Sequence, residues 1–471
     1  MMFKLHLFKA TMLFSCISSM ASISNAQSTQ MLTTETIEQE IQGSSIHSYK
    51  VSLNEGDFVK IVVLQKGIDA VVTVFNPSGT KELQVDTPNG TQGIELVSFV
   101  ASSDGNYRLT VTPLEAKAPA GKYEIRVISK LNAEEYKKSQ PVTIKTGPTD
   151  IYIEKGEGAQ YINFEFLIQN AGNDTLTIES IALSVRNKNG QLTLKKFING
   201  NGVVPGISTI ANRILSGQSQ LTVFNPFHTF ESELDLSDLS YGFTFSSQIG
   251  EMYEVTVAVK PSAYVNKTKL RLPLKGKILI EDGHDFYAHH RRFDYGHPFL
   301  QSLGFKTNFM RYSYDFVTLN ANDEMFSGNE QANDSWDCFG KSIYAPAAGK
   351  VVAVIDSMRD NRKFDERLIA QNQMILFGNH IVIDHLNGEY SLFAHIQKGS
   401  AKVRIGDMVS ADQAIAAIGA SGSANIPHLH YELRTSADHL AEGLPSYFTN
   451  YKKSGKKVSS GQLDSGDIVE N

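Results

Sequence analysis

Cysteine is close to absent, with two residues, Cys16 and Cys338, in a chain of 471. Cys16 falls in an expected leader, which leaves Cys338 without an intramolecular partner. A chain without disulfides must build real hydrophobic cores, and thiolate zinc sites, which need several cysteines, are excluded. Any metal must sit on histidine and carboxylate. Excess positive charge is also missing: 44 Lys plus Arg stand against 50 Asp plus Glu, net −6, so no basic field draws nucleic acid. Past the leader no apolar run approaches the ~18 residues that span a bilayer, so the mature chain reads as soluble or peripherally attached, with no transmembrane segment. Helical periodicity is scarce.

What is present is the material of β structure. Hydrophobic residues at 41% and charged residues at 20% suit a folded chain, and the length suggests roughly three domains. Lys4 and Lys9 precede an apolar stretch, Ala10 to Ile23, then small residues at Ser24 and Ala26, the layout of an export signal cleaved after Ala26. Leu13 to Cys16 loosely resembles a lipobox, the competing reading. Short alternating runs separated by Gly, Asn, Asp and Pro turns recur from about residue 45 to residue 435, the pattern of sandwiches and barrels. Tyr49–Leu53, Phe58–Leu64, Ala70–Phe75, Tyr107–Val111 and Tyr123–Val127 predict a first β-sandwich. Tyr161–Gln169, Leu176–Val185, Leu192–Phe197 and Tyr253–Val259 predict a second, immunoglobulin-like in size. Neither clusters chemistry-bearing side chains, so both read as adhesion, spacing or folding modules. The fold class expected is mostly β: two β-sandwiches followed by an antiparallel β-sheet domain. Boundaries fall at 1–26 (signal peptide), 27–142, 143–268, 269–452 and a disordered tail at 453–471.

Histidine is concentrated in one part of the chain. Ten of 13 lie beyond Lys269: His284, His289, His290, His297, His380, His385, His395, His428, His430 and His439. That density points to a metal or acid–base site. In Pro427-His428-Leu429-His430-Tyr431-Glu432-Leu433, strand alternation places His428 and His430 on one face. Gly378 to His385 and Glu389 to His395 flank an Asn387-Gly388 turn and read as a hairpin, with His395 expected on the face of Ser391 and Phe393. His380 and His385 read as supporting or surface residues. Tyr344 and Trp336 either line the groove or pack beneath it. The acidic stretch Asn320 to Asp337 reads as a solvated insertion, since its spacing fits no EF-hand.

Together Tyr390 to His395, Gly406-Asp407-Met408-Val409, Gly419 to Gly422 and Pro427 to Glu432 resemble the lysostaphin-type (LytM-like) zinc metalloendopeptidases, which cut peptidoglycan peptides. Ala345 to Val352 resembles the family's first strand, and Arg311 to Phe316 its aspartate segment. The resemblance implies zinc ligands at Asp315 and His430 and catalytic histidines at His395 and His428. The family's usual first ligand stands four residues before the aspartate, where this chain has Arg311, which cannot bind a cation. Variants with an arginine–tyrosine–aspartate segment take that ligand from farther upstream, after a stretch resembling Leu272-Pro273-Leu274-Lys275-Gly276. His290 is the expected ligand, with His289 and His297 as alternatives; adjacent His289 and His290 on a strand would point opposite ways. In the first block, Gln65 to Thr73, Asn76 to Gly79 and Gly105 to Tyr107 resemble the bacterial pre-peptidase-type sandwich.

Two imidazoles and one carboxylate leave a fourth zinc position for water, the layout of catalytic sites. The expected function is that of an exported zinc endopeptidase, periplasmic or extracellular, hydrolysing peptide cross-links of peptidoglycan. A catalytically inactive protein that binds the wall or activates a hydrolase is the alternative.

Overall fold

A computed structural model describes residues 29–471 apart from Pro88, Glu157 and Ile249, so the leader and Cys16 lie outside the described residues. The fold is nearly all β, with short helices only. It divides into two compact units, one up to Gln140 and one from Pro141 onward.

The first unit pairs a five-stranded and a four-stranded sheet. Alternation dictates its core. In Phe58–Lys66, Val59, Ile61 and Val63 are buried while the residues between them are partly exposed, and Val51, Val72, Tyr107 and Ile125 close over them from neighbouring strands.

The second unit contains a sandwich and a large sheet. Its sandwich sets Val142–Gly147, Glu165–Asn170 and Gln220–Phe224 against a five-stranded sheet built on Leu176–Arg186 and Asp238–Ser247. Phe166 meets Tyr241 and Phe243 edge-on at 5.0 and 4.8 Å between ring centroids, the arrangement aromatic quadrupoles favour.

The remainder is organised by a ten-stranded sheet. Its strands are β1 (Lys277–Asp282), β2 (Tyr314–Thr318), β3 (Gly349–Ile355), β4 (His380–Asp384), β5 (Tyr390–Ala394), β6 (Met408–Val409), β7 (Leu429–Arg434), β8 (Phe448–Lys453), β9 (Lys456–Gly461) and β10 (Ile468–Glu470). They lie in the order β6-β3-β4-β5-β7-β2-β1-β10-β8-β9. β2 and β7 are buried at every position, because both faces of the sheet are covered there. Tyr314, Phe316, Leu429, Tyr431, Phe393 and Phe448 share the core on one face. The other face carries Asp315, His430, Glu432 and Arg434, all buried.

The disordered tail expected at 453–471 is corrected by β9 and β10. Its Lys, Ser and Gly content masked three apolar anchors: Leu463 and Val469 are fully buried and Val458 packs against the same core. β10 pairs with both β1 and β8.

Candidate metal centre and catalytic cleft

Sheet register assembles the site. Asp315 on β2 stands directly opposite His430 on β7, and Ala394 at the end of β5 stands opposite His430 on its other side; such cross-strand partners have Cβ atoms about 5 Å apart. On β1, Asp282 is opposite Asp315.

Two of these placements break strand alternation. Ile278 and Ile280 face the hydrophobic core, so simple alternation would drive Asp282 into it. A bulge between Ile280 and Asp282 shifts the register and turns the carboxylate to the Asp315 face, the re-aiming role of bulges near sites. His395 would by parity share the core face of Phe393. Instead its φ of 57° lies in the left-handed region, a costly conformation for a residue with a side chain, and its backbone N–H donates to the Phe377 carbonyl at 2.9 Å. This corrects the expected face and brings the imidazole to 4.7 Å from His428 and 5.9 Å from His430, ring centre to ring centre.

His290, Asp315 and His430 each offer a ligand atom, all within 4.8 Å of one another and all buried. His290 Nε2 lies 3.7 Å from Asp315 Oδ2, and His430 Nδ1 lies 2.9 Å from Asp315 Oδ1. The far nitrogen of each imidazole has its own carboxylate: His290 Nδ1 is 2.7 Å from Asp282 Oδ2, and His430 Nε2 is 2.9 Å from Glu432 Oε1. Outer carboxylates of this kind fix the tautomer and ring orientation of metal-binding histidines. Glu432 in turn accepts from Arg434 Nη1 at 3.1 Å, and that guanidinium lies over Phe309 and Phe377. Burial opposes ionisation of Asp315, yet His290, His428 and His430 hold its carboxyl well below the usual range. Burial likewise opposes charge on His430, but Asp315 and Glu432 push it up to about 9. The pocket thus favours a positive charge between these groups, and its nitrogen and carboxylate donors suit zinc.

His395 and His428 are oriented by main-chain carbonyls. A carbonyl only accepts, so His395 Nδ1 donates to Ser421 O and His428 Nδ1 to Ile426 O, each at 2.8 Å. His395 Nε2 is left as an acceptor. His428 Nε2 lies 3.5 Å from Asp315 Oδ1. Burial, reinforced by His428 and His430, holds His395 well below the usual imidazole range, in its neutral form. The Ser421 carbonyl is placed by two glycines in backbone contact, since a Cβ on Gly422 would meet the Gly378 nitrogen at 2.4 Å. A cleft of about 200 Å³ opens here, lined by His289, His290, His395, His430 and Ser423 and walled by Phe293, Met310, Leu376 and Phe377.

His289 lies beside the site: its Nδ1 is 3.3 Å from Asp282 Oδ1, it forms a second candidate metal group with Asp282 and His290, and it borders the same cleft; the other candidates lie elsewhere. His289 and His290 sit in turns rather than a strand, which corrects the expected geometry, although one side chain still points in and the other out (8% against 68% exposed). His297 caps the helix Pro298–Ser302, accepting from the Phe299 N–H at 3.2 Å. His284 is buried with Nε2 2.8 Å from the Tyr312 carbonyl. His380 donates to Gly378 O, and His385 joins Ala348 O and the Ser391–Tyr431 pair. Trp336 packs on Phe326, and Tyr344 lies under Lys275. Sequence reasoning missed Asp282, and gave Glu432 no role although alternation places it beside His430.

Residues 335–442 match peptidase family M23, and residues 45–113 match the bacterial pre-peptidase C-terminal domain. The first match contains His395, His428 and His430; His290 and Asp315 lie upstream of it. The cell division protein DipM of Caulobacter vibrioides is 31% identical over 107 residues, which are 23% of this chain and 15% of that protein. The murein hydrolase activator EnvC of Escherichia coli is 33% identical over 86 residues, 18% of this chain and 20% of that protein. The chain therefore spans a fifth or less of these relatives' lengths. A zinc containing peptidase from Vibrio cholerae is 15% identical, with 61% of this chain and 80% of that one covered and a TM-score of 0.22. The chain thus carries a peptidase family M23 domain at residues 335–442, together with a pre-peptidase C-terminal domain at residues 45–113.

Proposed function

We propose that this protein is a zinc-dependent endopeptidase that hydrolyses peptide cross-links of bacterial peptidoglycan, with His290, Asp315 and His430 holding one zinc ion and His395 and His428 acting as the catalytic pair. The observation that carries it is the grouping of the His290, Asp315 and His430 ligand atoms within 4.8 Å of one another, with the His395 ring 5.9 Å from His430 and 4.7 Å from His428. Zinc held there supplies a Lewis acid that polarises a peptide carbonyl and lowers the pKa of water toward neutrality. The protein's own groups do the rest. Neutral His395 presents its Nε2 to take a proton from the attacking water and return it to the leaving amine, with His428 beside it to orient the water. Phe293, Met310, Leu376 and Phe377 give one side of the cleft an apolar wall.

The envelope placement, periplasmic or extracellular, rests on the leader pattern and on relatives named for cell division and murein hydrolase activation. Among the described residues no helix is long and apolar enough to cross a membrane. One relative's name also favours a second reading, activation of another hydrolase without cleavage. Purified peptidoglycan incubated with the protein, with and without a chelator, decides between them: chelator-sensitive release of free amines is expected, and none in the zinc-loaded protein would leave the activator reading. Mass spectrometry of the fragments identifies the bond.

A further inference from the structure

Two glutamates preceding the sheet bond arginines on the segments that carry His290 and Asp315. Glu154 lies on strand Tyr152–Lys155 of a four-stranded sheet beside the sandwich and Glu165 on the sandwich strand Glu165–Asn170, and both are completely buried. Glu154 accepts from Arg291 Nη2 at 2.7 Å, and Arg291 is the residue after His290. Arg291 also donates to the His284 carbonyl and lies against the Tyr312 ring. The second glutamate takes both terminal nitrogens of Arg311, at 2.5 and 2.8 Å, while Arg311 Nε bonds Glu442 at 3.0 Å. Arg311 lies four residues before Asp315, in the segment that leads into β2.

We infer that Glu154 and Glu165 are positioning residues for the metal centre, so that the 141–268 sandwich sets where His290 and Asp315 stand. Three features support this. His290 lies on no strand, and the turn segment that carries it is tied at its ends by His284 to the Tyr312 and Leu463 carbonyls and by Gly296 to Gln220, and next to His290 by Asp282 and by Asn308, whose side-chain amide reaches the carbonyls of His290 and Arg291 at 3.3 and 3.1 Å. Each ion pair is fully dehydrated, so losing one partner leaves a buried charge that forces the local chain to move. The third ligand, His430, is held within the sheet by Glu432 and Arg434, independently of the sandwich. Arg311, which occupies the place of a histidine ligand in the commoner pattern, is thereby used as a bidentate anchor.

This rests on His290, Asp315 and His430 being the zinc ligands, and the experiment separates the two claims. Zinc dissociation constants are measured by chelator competition on the full chain for wild type, Glu154→Gln, Glu165→Gln and, as a control on the sandwich surface, Glu179→Gln. Hydrogen exchange of residues 283–297 and 390–394 is followed in parallel, at temperatures far below unfolding. Both interface variants are expected to bind zinc about 10–100-fold more weakly, the range seen when supports of metal ligands are removed. Exchange in 283–297 accelerates in Glu154→Gln while 390–394 and the control stay unchanged. Glu154→Asp, with the charge on a shorter arm, falls between. Folded variants that bind zinc as wild type does, with only a lowered melting temperature, overturn the inference. Should one glutamine variant fail to fold, the other decides by the same criterion; should both fail, wild-type affinity in Glu154→Asp overturns it. A wild-type protein that takes up no zinc instead sinks the metal centre itself.

Discussion

Asp282 and Asp315 face each other across β1 and β2, and the His290 ring contacts both, Nδ1 at 2.7 Å from the first and Nε2 at 3.7 Å from the second. Two neighbouring buried carboxylates are tolerated because an imidazole stands between them, and because Asp282 also accepts the backbone N–H groups of His289 and His290. Asp282→Asn is therefore expected to weaken zinc binding about 10–100-fold without unfolding the sheet, as chelator competition and circular dichroism will show.

Ligand choice is tested by three alanine substitutions. His290→Ala should lose stoichiometric zinc, whereas His289→Ala and His297→Ala should keep it, since one side chain is largely exposed and the other caps a helix. Zinc analysis of the purified proteins after dialysis reads the outcome. Full occupancy in His290→Ala would overturn the assignment.

His395→Ala and His428→Ala should retain zinc yet lose about 10²- to 10⁴-fold in hydrolysis, the usual contribution of positioned acid–base groups. Equal loss of metal and activity would instead make them structural.

Only part of this site was legible beforehand. His428, His430 and Glu432 follow strand alternation, so their common face could be read from residue spacing. Asp282 and His395 could not, because a bulge and a left-handed backbone each reverse the parity that spacing assumes. The available signal for Asp282 was a conflict: a carboxylate where alternation demands a core residue, which marks functional exceptions. The sandwiches were legible because their one-sided alternation is clean. The final strands were not, because a few apolar anchors among many polar residues look like a tail, and only the neighbouring strands show what they cover.

Cys338 is buried in the sheet domain, and burial pushes its thiol up to about 12. The thiolate needed for reaction is scarce at neutral pH. An aromatic disulfide reagent should leave it unmodified in the native protein and label it in step with unfolding in urea. Fast labelling without denaturant would contradict the packing.

His228 stacks on Phe286 at 3.8 Å between ring centres, and burial, aided by Arg291, Lys196 and Arg292, lowers it to about 4. The unfolded chain binds this proton below about pH 6.5 while the folded chain does not. Its contribution is thus complete above pH 6.5 and lost as the pH falls toward 4. Discounted for a partly solvated ring, the effect is about 1–2 kcal/mol. Urea titrations at pH 7 and pH 5 should show a smaller loss in His228→Phe than in wild type; identical slopes would remove His228 from the account.

β10 fills the gap between β1 and β8, so the strand bearing Asp282 gains its second neighbour only from residues 468–470. During translation that strand leaves the ribosome well before its partner exists, with a row of amide and carbonyl groups open to any passing chain. A polypeptide lacking residues 468–470 accordingly leaves the Asp282 strand with an adhesive flank beside the candidate metal site.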